Sequence, residues 1–386
     1  MIVLRAYKTE LDLNNTQKTA CARHAGAARY AYNWGLARKQ EALQAGEKVP
    51  SAIDLHRELN VLKKTELSWM YEVSKCAPQE ALRDLDNAFT HFFRRLREKK
   101  AGKNVKVGFP RFKSKKSGMG SFRLTGHIHV FEKAIQLPRL GRLRLKERGY
   151  LPVSGVHILS AIVSEKGGRW FVSLQVEVNI PDLEPSEKSF AGVDLGINRM
   201  AQVSDGLYFE NPRALKSSLT RFRRLQRIMS RRQKSSANRQ KAACQWAKAH
   251  TRVANIRKNA LHQATTILTR TKSAIVIEDL NVSGMLKNHD IAQAIADVGM
   301  YEFRRQLEYK GEWYGCKVLV ADRFYPSTKR CSQCGQVKKE MSLAEREYRC
   351  ECCGLVIDRD LNAALNLEQL LKLPQVLRKD TPVESI

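Results

Sequence analysis

The hydrophobic positions change period several times along the chain, and each change marks a candidate element. Ile2, Leu4 and Ala6 alternate with Val3, Arg5 and Tyr7, so one short strand is predicted at the start. Asn14, Asn15 and Thr16 then offer helix caps. From Thr16 to about Lys100 apolar residues recur every three or four positions, as in Leu82, Leu85, Phe89, Phe92 and Phe93, and Pro78 suits a first helical turn. After the basic, glycine-containing stretch Lys99 to Gly120, the period shifts towards two through Phe122, Leu124, Ile128 and Val130. HILSAIVSEKGGRWFVSLQVEV reads as a hairpin, which makes this a small β domain. Pro181 to Ser189 is polar and turn-forming, a linker, and a new domain starts at Phe190.

In that second part AGVDLGINRMAQVSDGLYFE reads as two strands around a Ser-Asp-Gly turn, Arg213 to Lys272 as long helices, and SAIVIEDL as a buried strand. Helices around Ala292 to Tyr314, a strand Lys317 to Ala321 and a final helix from about Asn362 to Leu371 follow. No internal repeat is present.

Composition narrows the partners. The 386 residues, 43% of them hydrophobic, suffice for two or three domains with real cores and exclude a disordered tail. The excess of 68 Lys and Arg over 39 Asp and Glu, a net +29, points to a polyanion. No acid occurs between Glu210 and Glu278 while Lys and Arg recur, so that interval is suited to phosphates. Arg221, Arg224, Arg231 and Arg232 are its representative contacts, a solvated helix face being the alternative for any one of them. No run approaches the roughly 20 apolar residues of a spanning helix, and MIVLRAYKTELDL lacks a signal-peptide pattern. The expectation is a cytoplasmic, nucleoid-associated protein without a membrane partner. Tyr30, Tyr32, Trp34 and Trp246 are candidates to stack on bases, though core packing is the commoner role. His127 and His129 share a strand face, more often an ordinary exposed position than a nucleic-acid contact.

Two features carry chemistry. In CSQCG and CECCG the pairs Cys331/Cys334 and Cys350/Cys353 have the spacing of two metal knuckles, and Gly335 and Gly354 suit the tight turns. Together they form a four-cysteine site for one structural Zn²⁺. Cys352 is an alternative ligand inside the second pair, while Cys21, Cys76, Cys244 and Cys316 are scattered singly and read as buried free thiols. The second feature is acidic. Asp194 and Glu278 lie at the ends of two apolar strands and Asp360 opens the last helix, so three segments can deliver carboxylates to one point. Hard oxygens of this kind hold Mg²⁺, and two ions about 4 Å apart activate water and stabilise a leaving oxygen in phosphodiester cleavage.

GVDLGIN, IEDLNVSGM and CSQCG…CECCGLVIDRDLNAALN resemble the three nuclease motifs and the zinc ribbon of TnpB, the insertion-sequence-encoded relative of type V CRISPR effectors. ARYAYNWGLARKQ, FFRRLR and GFPRFKSKK resemble the same family, so the likeness spans most of the chain. It implies an α+β multidomain protein. A RuvC-type RNase H-like α/β nuclease domain with an inserted zinc ribbon would join an N-terminal β-barrel-like wedge domain that carries a helical insertion. The implied boundaries are 1–14 and 101–182 for the wedge-like β domain and 15–100 for the helical recognition domain. The nuclease domain would take 190–330 and 355–371, the ribbon 331–354 and a tail 372–386. The catalytic acids map by motif onto Asp194, Glu278 and Asp360, with Asp358 as the nearby alternative in a supporting role. The resemblance further implies a guide RNA from the element's end, double-stranded target DNA beside a short flanking motif, and contacts to that motif from Lys75 and Gln79. A guided DNA binder or repressor without cleavage and a guide-free, structure-selective nuclease are the competing functions.

Overall fold

The computed structural model describes residues 2–115, 118–179, 189–342, 345–372 and the backbone of 377–378. The expected linker and tail fall largely outside these residues. The chain divides into two compact units, Met1–Asn179 and Ile180–Ile386, taken separately below. No helix among the described residues is long and apolar enough to cross a membrane.

The N-terminal unit begins with β1 (Ile2–Asp12), longer than its apolar run predicts because it pairs antiparallel along almost its whole length with a later strand. Three helices follow, α1 (Asn15–Ala45), α2 (Ala52–Leu62) and α3 (Cys76–Lys100). Asn14 and Ser51 cap the first two with reciprocal capping boxes. Gly35 lets α1 and α3 approach, since a Cβ there would meet Leu82 Cδ2 at 2.7 Å. Then come β2 (Ser121–Leu124), β3 (His129–Phe131), β4 (Ala134–Leu137), β5 (Gly141–Leu145), β6 (His157–Lys166) and β7 (Arg169–Asn179). All pairings in this seven-stranded sheet are antiparallel, in the order β2-β6-β7-β1-β5-β4-β3. Among the described residues no pairing of β2 with β3 closes it into a barrel. One hydrophobic core joins helices and sheet, running from Leu36, Leu55 and Leu82 to Phe122, Val163 and Leu174.

The C-terminal unit contains β8 (Ser189–Asp194), β9 (Arg199–Val203), β10 (Tyr208–Glu210), α4 (Ala214–Ser230), α5 (Ala237–Thr271) and β11 (Lys272–Ile277). It continues with α6 (Val282–Met285), α7 (His289–Val298), α8 (Met300–Tyr314) and β12 (Lys317–Ala321). β13 (Glu347–Arg349), β14 (Val356–Asp358), α9 (Arg359–Gln369) and β15 (Leu377–Arg378) complete it. The main sheet runs β10-β9-β8-β11-β12-β15, with β8, β11 and β12 parallel and the flanking strands antiparallel.

β11 is apolar at every position from Ala274 to Ile277 because both its faces are covered. Ile275 and Ile277 pack with Leu261, Leu268, Phe303 and Leu307 of α5 and α8, while Val276 packs with Leu367 of α9. Arg213, which precedes α4 in the left-handed region at φ 44°, gives the helix no side-chain cap. Asp297, buried on α7, replaces that cap by accepting from Leu215 N at 3.0 Å and Lys216 N at 3.2 Å and by pairing with Arg257 at 2.9 Å. An interval with no acid of its own thus takes its anchor from outside.

α9 packs directly on the backbone of β8 at Gly192. A Cβ at Gly192 would overlap the Ala364 carbonyl oxygen and stand 2.5 Å from Glu368 N and 2.9 Å from Leu367 Cβ. Gly192→Ala should therefore destabilise the unit by about 3 kcal/mol, the upper end for an overpacked core. Denaturant unfolding of the variant against wild type measures it.

Candidate active site and metal centre

Asp194 ends β8, Glu278 directly follows β11, and Asp360 lies in the first turn of α9. Strands β8 and β11 are parallel neighbours, with Val193 opposite Ile277, so their C-terminal ends present the first two acids side by side. The glycine contact at Gly192 brings α9, and with it Asp360, onto the same edge. The three carboxyls feel one another. Burial, then Glu278 and Asp360, hold the Asp194 carboxyl well above the usual carboxylate range. Burial likewise raises Glu278, against the hydrogen bond donated by Ser327, with Asp360 adding to the rise. Arg359 pairs with Asp360 at 3.2 Å.

Helix α9 begins earlier than its apolar pattern predicts, because Asp358 caps it by accepting from Asp360 N and Leu361 N, both at 3.0 Å. Asp358 also lies 3.5 Å from Arg199. Asp360 is accordingly inside the first turn rather than at its opening.

Several residues that shape the site carry no signal in the hydrophobic pattern. Asn362 and Asn366, both fully buried on α9, and Gln369 form an amide ladder at helical spacing. Asn362 donates to Arg330 O at 2.7 Å and accepts from Ser332 N at 2.9 Å, Asn366 donates to Ser327 O at 2.8 Å, and Gln369 donates to Ser332 O at 2.6 Å. The ladder fastens the segment that contains Ser327 and leads into the first knuckle. Asp279, beside Glu278, pairs with Arg304 at 3.1 Å and Arg323 at 2.7 Å. Only the repeated Asn in NAALN and the second acid in IEDL, read as spaced polar groups, could have flagged these residues.

The four thiols come together. Cys331 Sγ lies 3.6 Å from Cys353 Sγ, Cys334 Sγ lies 3.5 Å from Cys350 Sγ, and all four sulfurs are within 4.8 Å of one another. A tetrahedron of Zn–S bonds of about 2.3 Å has edges of about 3.8 Å, so the set fits zinc. Both knuckles fold alike: Gly335 N and Gly354 N donate to Cys331 O and Cys350 O at 3.0 and 3.1 Å, with both glycines at positive φ. Backbone N–H groups of Cys353 and Cys352 favour the Cys350 thiolate and pull that thiol down to about 6. Cys353 goes the other way, to about 12, because burial and neighbouring thiols outweigh the N–H of Leu355. Thiols this close share protons, so the titration belongs to the set. Cys352 stays outside the cluster. Cys21, Cys76 and Cys316 are buried, whereas Cys244 is only half-buried.

The remaining candidates are dispersed. Arg221, Arg224, Arg231 and Arg232 are exposed on α4 and the turn after it. Lys75, exposed, and Gln79, half-buried, stand one turn apart at the start of α3. The buried His24 holds that start by accepting from Ser74 N at 2.9 Å through Nε2. Tyr32 is buried beneath Lys113, and Trp246 packs on His250 in a small core with Phe222 and Leu225, whereas Tyr30 and Trp69 form an exposed edge-to-face pair. His127 lies outside β3, stacked on His129.

Three family models match the chain, describing a probable transposase (residues 173–289), a Cas12f1-like TNB domain (301–367) and a helix-turn-helix domain (1–48). A Streptomyces pristinaespiralis protein named "Putative RNA-guided DNA endonuclease" is 35% identical over 368 residues, 95% of this chain and 89% of its own. Escherichia coli K12 "Putative RNA-guided DNA endonuclease InsQ" is 33% identical over 382 residues, 94% of this chain and 91% of its own. The chain belongs to the TnpB family. Among solved structures, the chain of a Cas12f1-sgRNA-target DNA complex superposes with a TM-score of 0.55 at 14% identity, covering 95% of this chain and 99% of that one. That likeness is one of fold. The fold shared with this TnpB-family chain is thus a mixed α+β one.

Two measurements follow for this family member. Because Asp194 ionises less readily in the fold than in the unfolded chain, its contribution to stability is full below the ordinary carboxylate range and lost as pH rises through its raised pKa. Asp194→Asn should therefore stabilise the protein in EDTA at pH 7 by about 1 kcal/mol, roughly 2–4 °C in Tm, while a Mg²⁺-induced rise in Tm shrinks. Cys350→Ser should lower bound zinc from about one ion per chain to none by atomic absorption.

Proposed function

We propose that the chain is an RNA-guided DNA endonuclease that cleaves double-stranded DNA beside a short flanking motif by phosphodiester hydrolysis. The observation that carries the reading is the meeting of Asp194, Glu278 and Asp360, from two parallel strands and a helix, in one electrostatic cluster. Hard carboxylates crowded this way suit Mg²⁺, and two ions held by Asp194, Glu278 and Asp360 would supply an activated water and stabilise the leaving oxygen. The names of the relatives and the excess of positive charge support RNA and DNA as partners.

The chain's own residues prepare the site. Ser327 donates to Glu278 and fixes one carboxylate oxygen, while Arg359 offsets charge at Asp360. Arg304 and Arg323, held on Asp279, stand beside Glu278 as positive groups for a phosphate approaching the cluster. The zinc ribbon, through the amide ladder, supports the segment that carries Ser327 and offers a surface to nucleic acid. The exposed arginines of α4 and the turn after it suit guide or target backbone, and Lys75 and Gln79 suit the flanking duplex.

The test begins with the chain purified from cells carrying its native flanking DNA. One RNA species, with a constant scaffold and an end matching adjacent DNA, is expected to co-purify and to direct Mg²⁺-dependent plasmid cleavage. Asp194→Ala should lower the cleavage rate on the order of a thousandfold or more while leaving RNA bound. Equal cutting by that variant would overturn the site, target binding without cutting by wild type would favour the repressor reading, and a random RNA population would favour the guide-free nuclease.

A further inference from the structure

The turn between β12 and the first knuckle presents Phe324, which at 86% accessible is the most exposed of the large apolar side chains among the described residues. The turn itself is well held. Asp322 Oδ1 accepts from Phe324 N at 2.8 Å, and Asp322 O accepts from Tyr325 N at 3.1 Å. On one side Arg323 donates to Asp279; on the other the Tyr325 hydroxyl donates to Asn366 O at 3.2 Å. Three residues beyond Phe324, Ser327 donates to Glu278. Three peptide steps span at most about 11 Å between Cα atoms, so the backbone that displays the ring lies within that reach of the residue bonded to Glu278. A second exposed ring, Tyr301 at 48%, borders a cavity of about 370 Å³ that also includes Glu278, Leu195, Asn281 and Arg323.

An apolar ring displayed on a rigid turn beside carboxylates gains nothing from the protein's own core. Its face suits an unpaired base, because every base has a π-face and stacking discriminates little between them. We propose that Phe324 is a base-stacking finger, receiving an unpaired DNA base next to the phosphate delivered to the acids and so setting the register of the cut strand. This rests on the nuclease reading above. A contact indifferent to sequence suits an enzyme whose target is chosen by pairing elsewhere.

The test uses the RNA-loaded full chain with matched target DNA. Phe324→Ala should lower kcat/KM for cleavage roughly tenfold, the contribution of one stacked base. Phe324→Leu, apolar but without a π-face, should be equally poor, and Phe324→Trp should restore cleavage; zinc content and Tm should not move. A target with one abasic nucleotide beside the cut should impose the same loss on wild type and no further loss on Phe324→Ala. Wild-type cleavage by Phe324→Ala or Phe324→Leu would overturn the proposal. If wild type itself cuts nothing, the nuclease reading fails and stacking is judged separately. A single-stranded oligo-dT with Ca²⁺ should quench Phe324→Trp fluorescence beyond wild type, and equal quenching would refute stacking.

Discussion

The missing side chain at Gly192 is the constraint on which the acidic centre depends. Because β8 offers only backbone at that point, α9 lies on the strand with its Ala364 carbonyl and Glu368 amide where a methyl group would otherwise be. Ser204 completes the contact from β8's other side: its hydroxyl accepts from Gly192 N and its amide donates to Gly192 O, both at 3.0 Å. Two residues along β8 comes Asp194, and one turn back along α9 from Ala364 comes Asp360. The proximity of two carboxylates is thus set by backbone packing in the core, where a displacement of even a methyl radius is felt.

Such packing works against electrostatics. Like charges brought together out of water raise each other's pKa, so the fold spends stability to hold the cluster until a cation or a proton relieves it. Three devices resist the repulsion locally: Ser327 on Glu278, Arg359 on Asp360, and Asp358 spent on capping α9. The ladder of Asn362, Asn366 and Gln369 then ties α9 to the segment running into the knuckles. A zinc ion closing the four thiols would hold the far end of that segment. The four-thiol cluster and the acid cluster are in this sense mechanically continuous, although they share no residue.

The parts legible in the sequence were those with a local signature. The strand Lys317–Ala321 has the predicted bounds, and the glycine-turn hairpin of β6 and β7 and the two cysteine knuckles follow from spacing and turn chemistry. What stayed hidden depends on partners far away in sequence. β1 runs past its apolar residues because β7 supplies its hydrogen bonds, α9 starts at Arg359 because Asp358, expected only in a supporting role, caps it, and Leu377–Arg378 forms a strand only beside Val320 and Ala321. Asp297, which looks like one more helical acid, serves as the cap of a helix some eighty residues earlier. Phe324 carries no signal in the hydrophobic pattern, and its exposure follows from the turn that Asp322 holds.

The acid-free interval gains meaning from that cap. A surface helix is ordinarily laced with acid-base pairs between successive turns, which stabilise it by a few tenths of a kcal/mol each while cancelling its field. α4 and α5 have no acids to supply such pairs, and instead cohere through Phe222, Leu225, Ala249 and Val253 on their facing sides. Buried Asp297 sits at the N-terminus of α4, where it complements the helix dipole and Arg257, and among the described residues no acid pairs with Arg221, Arg224, Arg231 or Arg232. Stability here comes from apolar packing and a borrowed cap, so the positive charge can remain on the surface, where its attraction for a phosphate backbone weakens with salt.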